Sequence, residues 1–155
     1  MEFVQSVPGE DPVIVESYFA ETPATVFHAW TDPEIVVKWF GYAPNSLLSA
    51  TIDLRTGGRW SFLLSKDADK TIGFEGEYLD VQPGEKLIYS WAHVTTHADG
   101  AREETPASKV EVSFTAQGKG TSVRLVHAGL NSEDARRGVG GGWTAAFRHL
   151  TALYG

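Results

Sequence analysis

From Asn131 to Tyr154, the residues Val139, Trp143, Phe147, Leu150 and Tyr154 recur at intervals of three and four, which puts them on one face of a helix. Asn131 or Ser132 can cap its start, and Glu133 and Asp134 in the first turn suit the positive end of the helix dipole. Gly138, Gly140, Gly141 and Gly142 oppose this reading, at about 1 kcal/mol each relative to Ala. Two outcomes are open: a helix that bends at the glycines, or one that is regular only from about Gly142. Either way, a face this rich in aromatic rings must be covered by a broad apolar surface.

The upstream chain supplies one. Val13 to Ala20 alternates as a half-buried strand, after a mixed segment over 1–11 that reads as an arm or short edge strand. Thr22-Pro23 and Asp32-Pro33 each start a short helix, because proline lacks only an N–H that the first turn leaves unused. Val26, Phe27 and Trp30 give the first helix an apolar side; Ile35, Val36, Trp39 and Phe40 do so for the second, which Gly41 stops. The period then changes to two. Strands are predicted over Leu47–Leu54, Arg59–Leu64, Thr71–Val81, Lys86–Val94, Val110–Phe114 and Val123–His127, separated by turns at Gly57-Gly58, Ser65–Lys70, Pro83-Gly84 and Gly118-Lys119-Gly120. Residues Thr95–Ala107 read as the longest loop. The order β, α, α, six strands in meander and a terminal α predicts an α+β fold, with a curved seven-stranded antiparallel sheet gripping the last helix. At 155 residues, a single domain over 1–155 is expected.

Composition excludes several functions. The net charge is −7 with no basic cluster, so no nucleic-acid partner is expected. Cysteine is absent, which removes disulfides, thiol nucleophiles and thiolate metal sites. No stretch approaches the ~18 apolar residues of a membrane span, and the N-terminus has no basic-then-apolar signal, so the expected location is cytoplasmic. Aromatic residues make up 12% of the chain, five of them Trp, and so many rings either fill a core or line a cavity.

The motif Pro23-x-x-Val26-Phe27-x-Ala29-Trp30-Thr31-Asp32-Pro33, then Trp39, then Asp53-x-Arg55-x-Gly57-Gly58-x-Trp60, resembles the activator of heat-shock protein 90 ATPase homologue family. Phe74-x-Gly76-x-Tyr78, Pro83-x-x-Lys86-Leu87-x-Tyr89-x-Trp91, Gly120-Thr121-x-Val123-x-Leu125-x-His127 and Gly142-Trp143 with Leu150 continue it in the same order. That family belongs to the START-like (SRPBCC) superfamily, which includes the birch pollen allergen type. The resemblance implies a helix-grip fold, a cavity between sheet and terminal helix for a small hydrophobic or aromatic molecule, and a role in metabolism or stress. It also implies a rival, a module that touches a chaperone. A further partner to consider is a second copy of the chain, as a homodimer.

The candidate ligand-binding residues are those on faces predicted to point inward: Trp39, Trp60, Phe62, Phe74, Tyr78, Tyr89, Trp91, His93, Val112, Phe114, His127, Trp143 and Phe147. For any one of the aromatic residues taken alone, plain core is the favoured reading; as a set they exceed what packing one helix on a sheet needs. His93 and His127 share faces with Trp91 and Leu125, so each is either a core histidine bonded to a neighbour or a group that orients a ligand. His28, His97 and His149 read as surface residues. No histidine pair has metal-ligand spacing and no cofactor motif is present, so neither a metal nor a cofactor is expected. No catalytic constellation is visible. An enzyme of the hydrolase or cyclase kind would have to use His93, His127 or Tyr78 as acid or base. Glu75 and Glu77 fall on the solvated face, and Asp53 with Arg55 anchors a turn.

Overall fold

The computed structural model describes residues 3–5 and 9–154. Its elements are β1 (Phe3–Gln5), β2 (Val13–Phe19), α1 (Pro23–Thr31), α2 (Pro33–Trp39), β3 (Ser49–Ile52), β4 (Arg59–Lys66), β5 (Lys70–Gln82), β6 (Lys86–His97), β7 (Arg102–Glu104), β8 (Ser108–Gln117), β9 (Gly120–Ala128) and α3 (Glu133–Tyr154). The strands form one antiparallel sheet in the order β1-β2-β9-β8-β6-β5-β4-β3, with β7 on the free stretch of β6. The seven expected strands are present, together with two short ones. β1 lies in the segment read as an arm or edge strand; the rest of that segment before Gly9 is outside the described residues. β7 replaces part of the expected loop over Thr95–Ala107. Its three side chains are all exposed, so no apolar alternation marked it; it pairs with the end of β6, and Arg102 bridges Glu75 and Glu104 at 2.7 and 2.6 Å.

Hairpins link β3 through β9, and β9 pairs with β2, so α1 and α2 carry the chain from β2 to the opposite edge. Both short helices begin as their sequences require. Thr22 Oγ1 accepts from the Thr25 N–H at 3.3 Å, and Asp32 Oδ1 accepts from the Glu34 N–H at 2.9 Å. α2 ends one residue earlier than its apolar pattern: Phe40 is already extended, and Gly41 takes a φ of +103°, which favours glycine. This turn points Phe40 into the interior instead of continuing the helical face.

α3 is continuous through its glycines. Ser132 caps it, its hydroxyl accepting from the Ala135 N–H at 3.0 Å. Trp143, Ala146, Phe147 and Leu150 are buried against the sheet and the short helices. Around its C-terminal half the core is closed: Phe147 meets Phe19 and Trp30, and Trp30 meets Trp39 and Phe114, at centroid distances of 4.7–6.1 Å. The ring of His149 is tied to this region, its Nδ1 lying 3.1 Å from the Trp39 carbonyl, so His149 is half-buried and not the surface residue expected. His28 and His97 do lie toward solvent, paired with Asp32 and Glu103.

Candidate functional site: an apolar pocket under the N-terminal half of the last helix

The N-terminal half of α3 does not close on the sheet. Between them lies a cavity of about 340 Å³, partly open to solvent. Its floor is Leu64, Phe74 and Trp91 from β4, β5 and β6. Its roof is Ala135, Gly138, Val139, Gly142, Trp143 and Ala146 from α3, and the turn Phe40–Tyr42 forms its side. Among the described residues the lining contains no His, Asp, Glu, Lys or Arg. Small residues on α3 create the space, since Ala and Gly occupy positions where the lower half of the same helix carries Phe147 and Leu150. A bulge at Leu64, between the pairs Leu63↔Gly73 and Ser65↔Ile72, bends β4 where the pocket opens.

Tyr42 stands at the rim. It is 66% exposed, its hydroxyl donates to the Gly138 carbonyl, and its ring lies along Gly141 and Gly142. The glycine run therefore gives α3 a surface on which an aromatic side chain can lie.

Behind Trp91 and Trp143 sits a buried polar relay. The Trp143 indole N–H donates to His127 Nδ1 at 3.1 Å. With Nδ1 accepting, the ring proton of neutral His127 is on Nε2, which lies 2.7 Å from Ser108 Oγ; that hydroxyl in turn donates to the Trp91 carbonyl at 3.3 Å. His127 is 0% exposed, and burial pushes its pKa down to about 3. Both ring nitrogens are thus committed to protein groups. The relay ties the Trp143 indole to the β6 backbone at Trp91, and His127 itself is not among the described residues lining the pocket.

Of the thirteen candidate residues, Phe74, Trp91 and Trp143 line the open pocket. Trp39, Trp60, Phe62, Tyr78 and Tyr89 surround a separate void of about 10 Å³ deeper in the core, which Trp143 also borders. Val112, Phe114 and Phe147 are packed core. His93 is half-buried, with its ring edge against Phe74 at 5.4 Å. Phe40, Tyr42, Leu64 and the small residues of α3 complete the pocket unannounced by the sequence. The glycine run was the available signal, because four glycines on a core-facing helix mark a place where side-chain volume is withheld.

Residues 20–155 match the family described as "Activator of Hsp90 ATPase homolog 1-like protein". The chain belongs to this family. Its fold is shared by CalU16 from Micromonospora echinospora (24% identity, 99% of this chain and 86% of that one, TM-score 0.68). It is shared also by protein MLL2253 from Mesorhizobium loti (24%, 92% and 95%, TM-score 0.71). DynU16, from the dynemicin biosynthetic locus, superposes over 93% of this chain and 47% of its own (19% identity, TM-score 0.70). No curated protein matches the sequence. These similarities fix the family and the helix-grip fold. Among the described residues no helix is long and apolar enough to cross a membrane.

For a family member with this roof, the glycines are separable by experiment. A Cβ on Gly138 meets nothing within 4 Å, so Gly138→Ala should stabilise the protein by about 0.4–1 kcal/mol through helix propensity and lost chain entropy. A Cβ on Gly141 would lie 3.2 Å from the Tyr42 hydroxyl, so Gly141→Ala should gain less, and recover the difference in a Tyr42→Ala background. Thermal unfolding of the four variants measures both effects. Equal gains at the two glycines in wild-type background would show that Tyr42 does not rest on α3.

Proposed function

We propose that this protein binds a small, uncharged, largely apolar molecule, aromatic or polycyclic, in the pocket beneath α3. The observation that carries this reading is the pocket itself: about 340 Å³, within the ~300–1,000 Å³ usual for small-molecule sites, walled by aromatic and aliphatic side chains. Trp91, Trp143, Phe74 and Phe40 offer ring faces, and only Tyr42 places a hydroxyl at the rim. The ligand's polar groups would then face the mouth. The lining favours a carrier over a hydrolase or cyclase, since it has no titratable pair to exchange a proton with a substrate. A chaperone-docking module needs a contiguous exposed apolar patch.

The test is uptake of an uncharged fluorescent probe, N-phenyl-1-naphthylamine, by wild-type protein and by Val139→Trp, which fills the pocket from its roof. Wild-type should bind with a blue-shifted emission, and the filled variant, folded by circular dichroism, should bind at least tenfold more weakly. Native mass spectrometry of protein from its own host should show an added mass that denaturation removes. Equal probe binding by both proteins would sink the assignment of the pocket.

A further inference from the structure

We propose that Trp30, Trp60, Tyr78 and Tyr89 form a buried socket for one neutral oxygen atom that accepts hydrogen bonds. The Trp30 and Trp60 indole N–H groups have no hydrogen-bond partner among the described residues, although the two side chains are only 4% and 2% exposed. Buried donors are almost always paired, because an unpaired one loses its hydration without compensation, so two in one small region of the core require an explanation. Both indoles border the same internal void of about 10 Å³, the space of roughly one water-sized sphere. Tyr78 and Tyr89 border it too. The Trp30 N–H faces the Tyr89 hydroxyl without meeting it at hydrogen-bond geometry.

The chemistry of the occupant follows from these groups. Among the described residues no charged side chain lines the void, so an anion would be desolvated without a partner. Burial raises the pKa of both phenols; at Tyr89 the charge of an ionised Tyr78 adds to the rise and the nearby Trp30 N–H opposes it, so each keeps its proton and can donate or accept. Two indole donors beside two phenols suit a neutral oxygen that accepts from the indoles. Trp60 pairs across the strands with Gly76, where a Cβ would lie 1.9 Å from the Ser90 carbonyl oxygen and 2.7 Å from the indole nitrogen. Phe40 and Trp143 border both this socket and the large pocket, so they form the wall between the two. The oxygen is therefore either a water molecule or a carbonyl or hydroxyl that a pocket ligand extends past Phe40. The second source rests on the carrier reading; the first does not.

Water-selective nuclear Overhauser measurements on ¹⁵N-labelled protein, with indole signals assigned by triple resonance, test the proposal alone and with fluorene or fluorenone added. In the free protein the Trp30 and Trp60 N–H signals should show cross-peaks to long-lived water, and keep them in Tyr78→Phe/Tyr89→Phe, which excludes relay through phenol protons. If fluorenone abolishes those cross-peaks and moves both N–H signals downfield, while fluorene does neither, the ligand's oxygen takes the socket. If both compounds leave the cross-peaks in place, the occupant is water. Absence of the cross-peaks in the free protein, with no response of the indoles to fluorenone, would overturn the socket. Failure of either compound to bind at all, with the water cross-peaks intact, would count against the carrier reading alone.

Discussion

Lowering the pH from 7 to 4 should destabilise the wild-type protein far more than its His127→Gln variant. The folded protein holds His127 neutral, with burial lowering its pKa to about 3, whereas an unfolded histidine titrates near 6.5. Geometry adds to burial: the Trp143 N–H occupies the Nδ1 lone pair, so protonation there would set two N–H groups against each other. Below about pH 6.5 the unfolded chain therefore binds one proton that the folded chain refuses. Stability from this group is full above that pH and is lost as the pH falls toward 3, at up to about 1.4 kcal/mol per unit. Integrated over the window, the loss is on the order of 5 kcal/mol, comparable with the whole stability of many proteins of this size. Gln can replace both contacts, accepting from Trp143 and donating to Ser108, without taking up a proton. Urea unfolding of the two proteins at intervals from pH 7 to pH 4 would measure the difference. Parallel curves would mean that His127 is protonated in the folded state, or that its surroundings are open to water.

How far the sequence announced this arrangement depends on the kind of residue. Strands β4, β5, β6, β8 and β9 were legible because burial on one face imposes a two-residue period, and Trp60, Phe62, Trp91, Val112 and Leu125 kept it. α3 was legible for the matching reason, and its glycines failed to break it because the helix gains more from burying Trp143, Phe147 and Leu150 than the glycines cost. Phe40 was harder. Its spacing assigned it to the face of α2, but the positive φ of Gly41 ends the helix first and turns the ring inward. The pocket itself was the least legible feature. Periodicity says which way a side chain points and not whether the facing position fills the space, so core rings such as Phe114 and Phe147 look the same in sequence as the pocket rings Phe74 and Trp91. Volume is set by pairs of facing residues: Phe147 meets Phe19 and Trp30, whereas the small residues Gly138, Gly142 and Ala146 leave Trp91 and Phe74 uncovered. Sequence spacing alone does not reveal those pairs.

Trp143 is where these threads meet, and replacing it with Ala should have the largest effect of any single change. The side chain is 3% exposed, lies 5.5 Å from Trp91 and 5.7 Å from Phe40 between ring centroids, and is the only donor to His127 Nδ1 among the described residues. Truncating a buried Trp costs about 3–5 kcal/mol, and the abandoned imidazole nitrogen adds to that. Trp143→Phe separates the contributions, because it keeps a ring in the pocket wall and removes the donor. Its cost should be about 1–3 kcal/mol. Its second effect runs the other way with pH: with Nδ1 released, His127 accepts a proton more readily in the folded state, and the acid-dependent loss of stability should shrink. The pocket should respond as well. Trp143 borders both the pocket and the inner void, so Trp143→Ala should join the two into one larger space, while Trp143→Phe should leave probe binding within a few-fold of wild-type. Chemical denaturation at pH 7 and pH 5, together with probe titration of each folded variant, measures all three. If Trp143→Phe kept the full acid sensitivity of the wild-type protein, the bond to Nδ1 would have no part in holding His127 neutral, and burial alone would account for it.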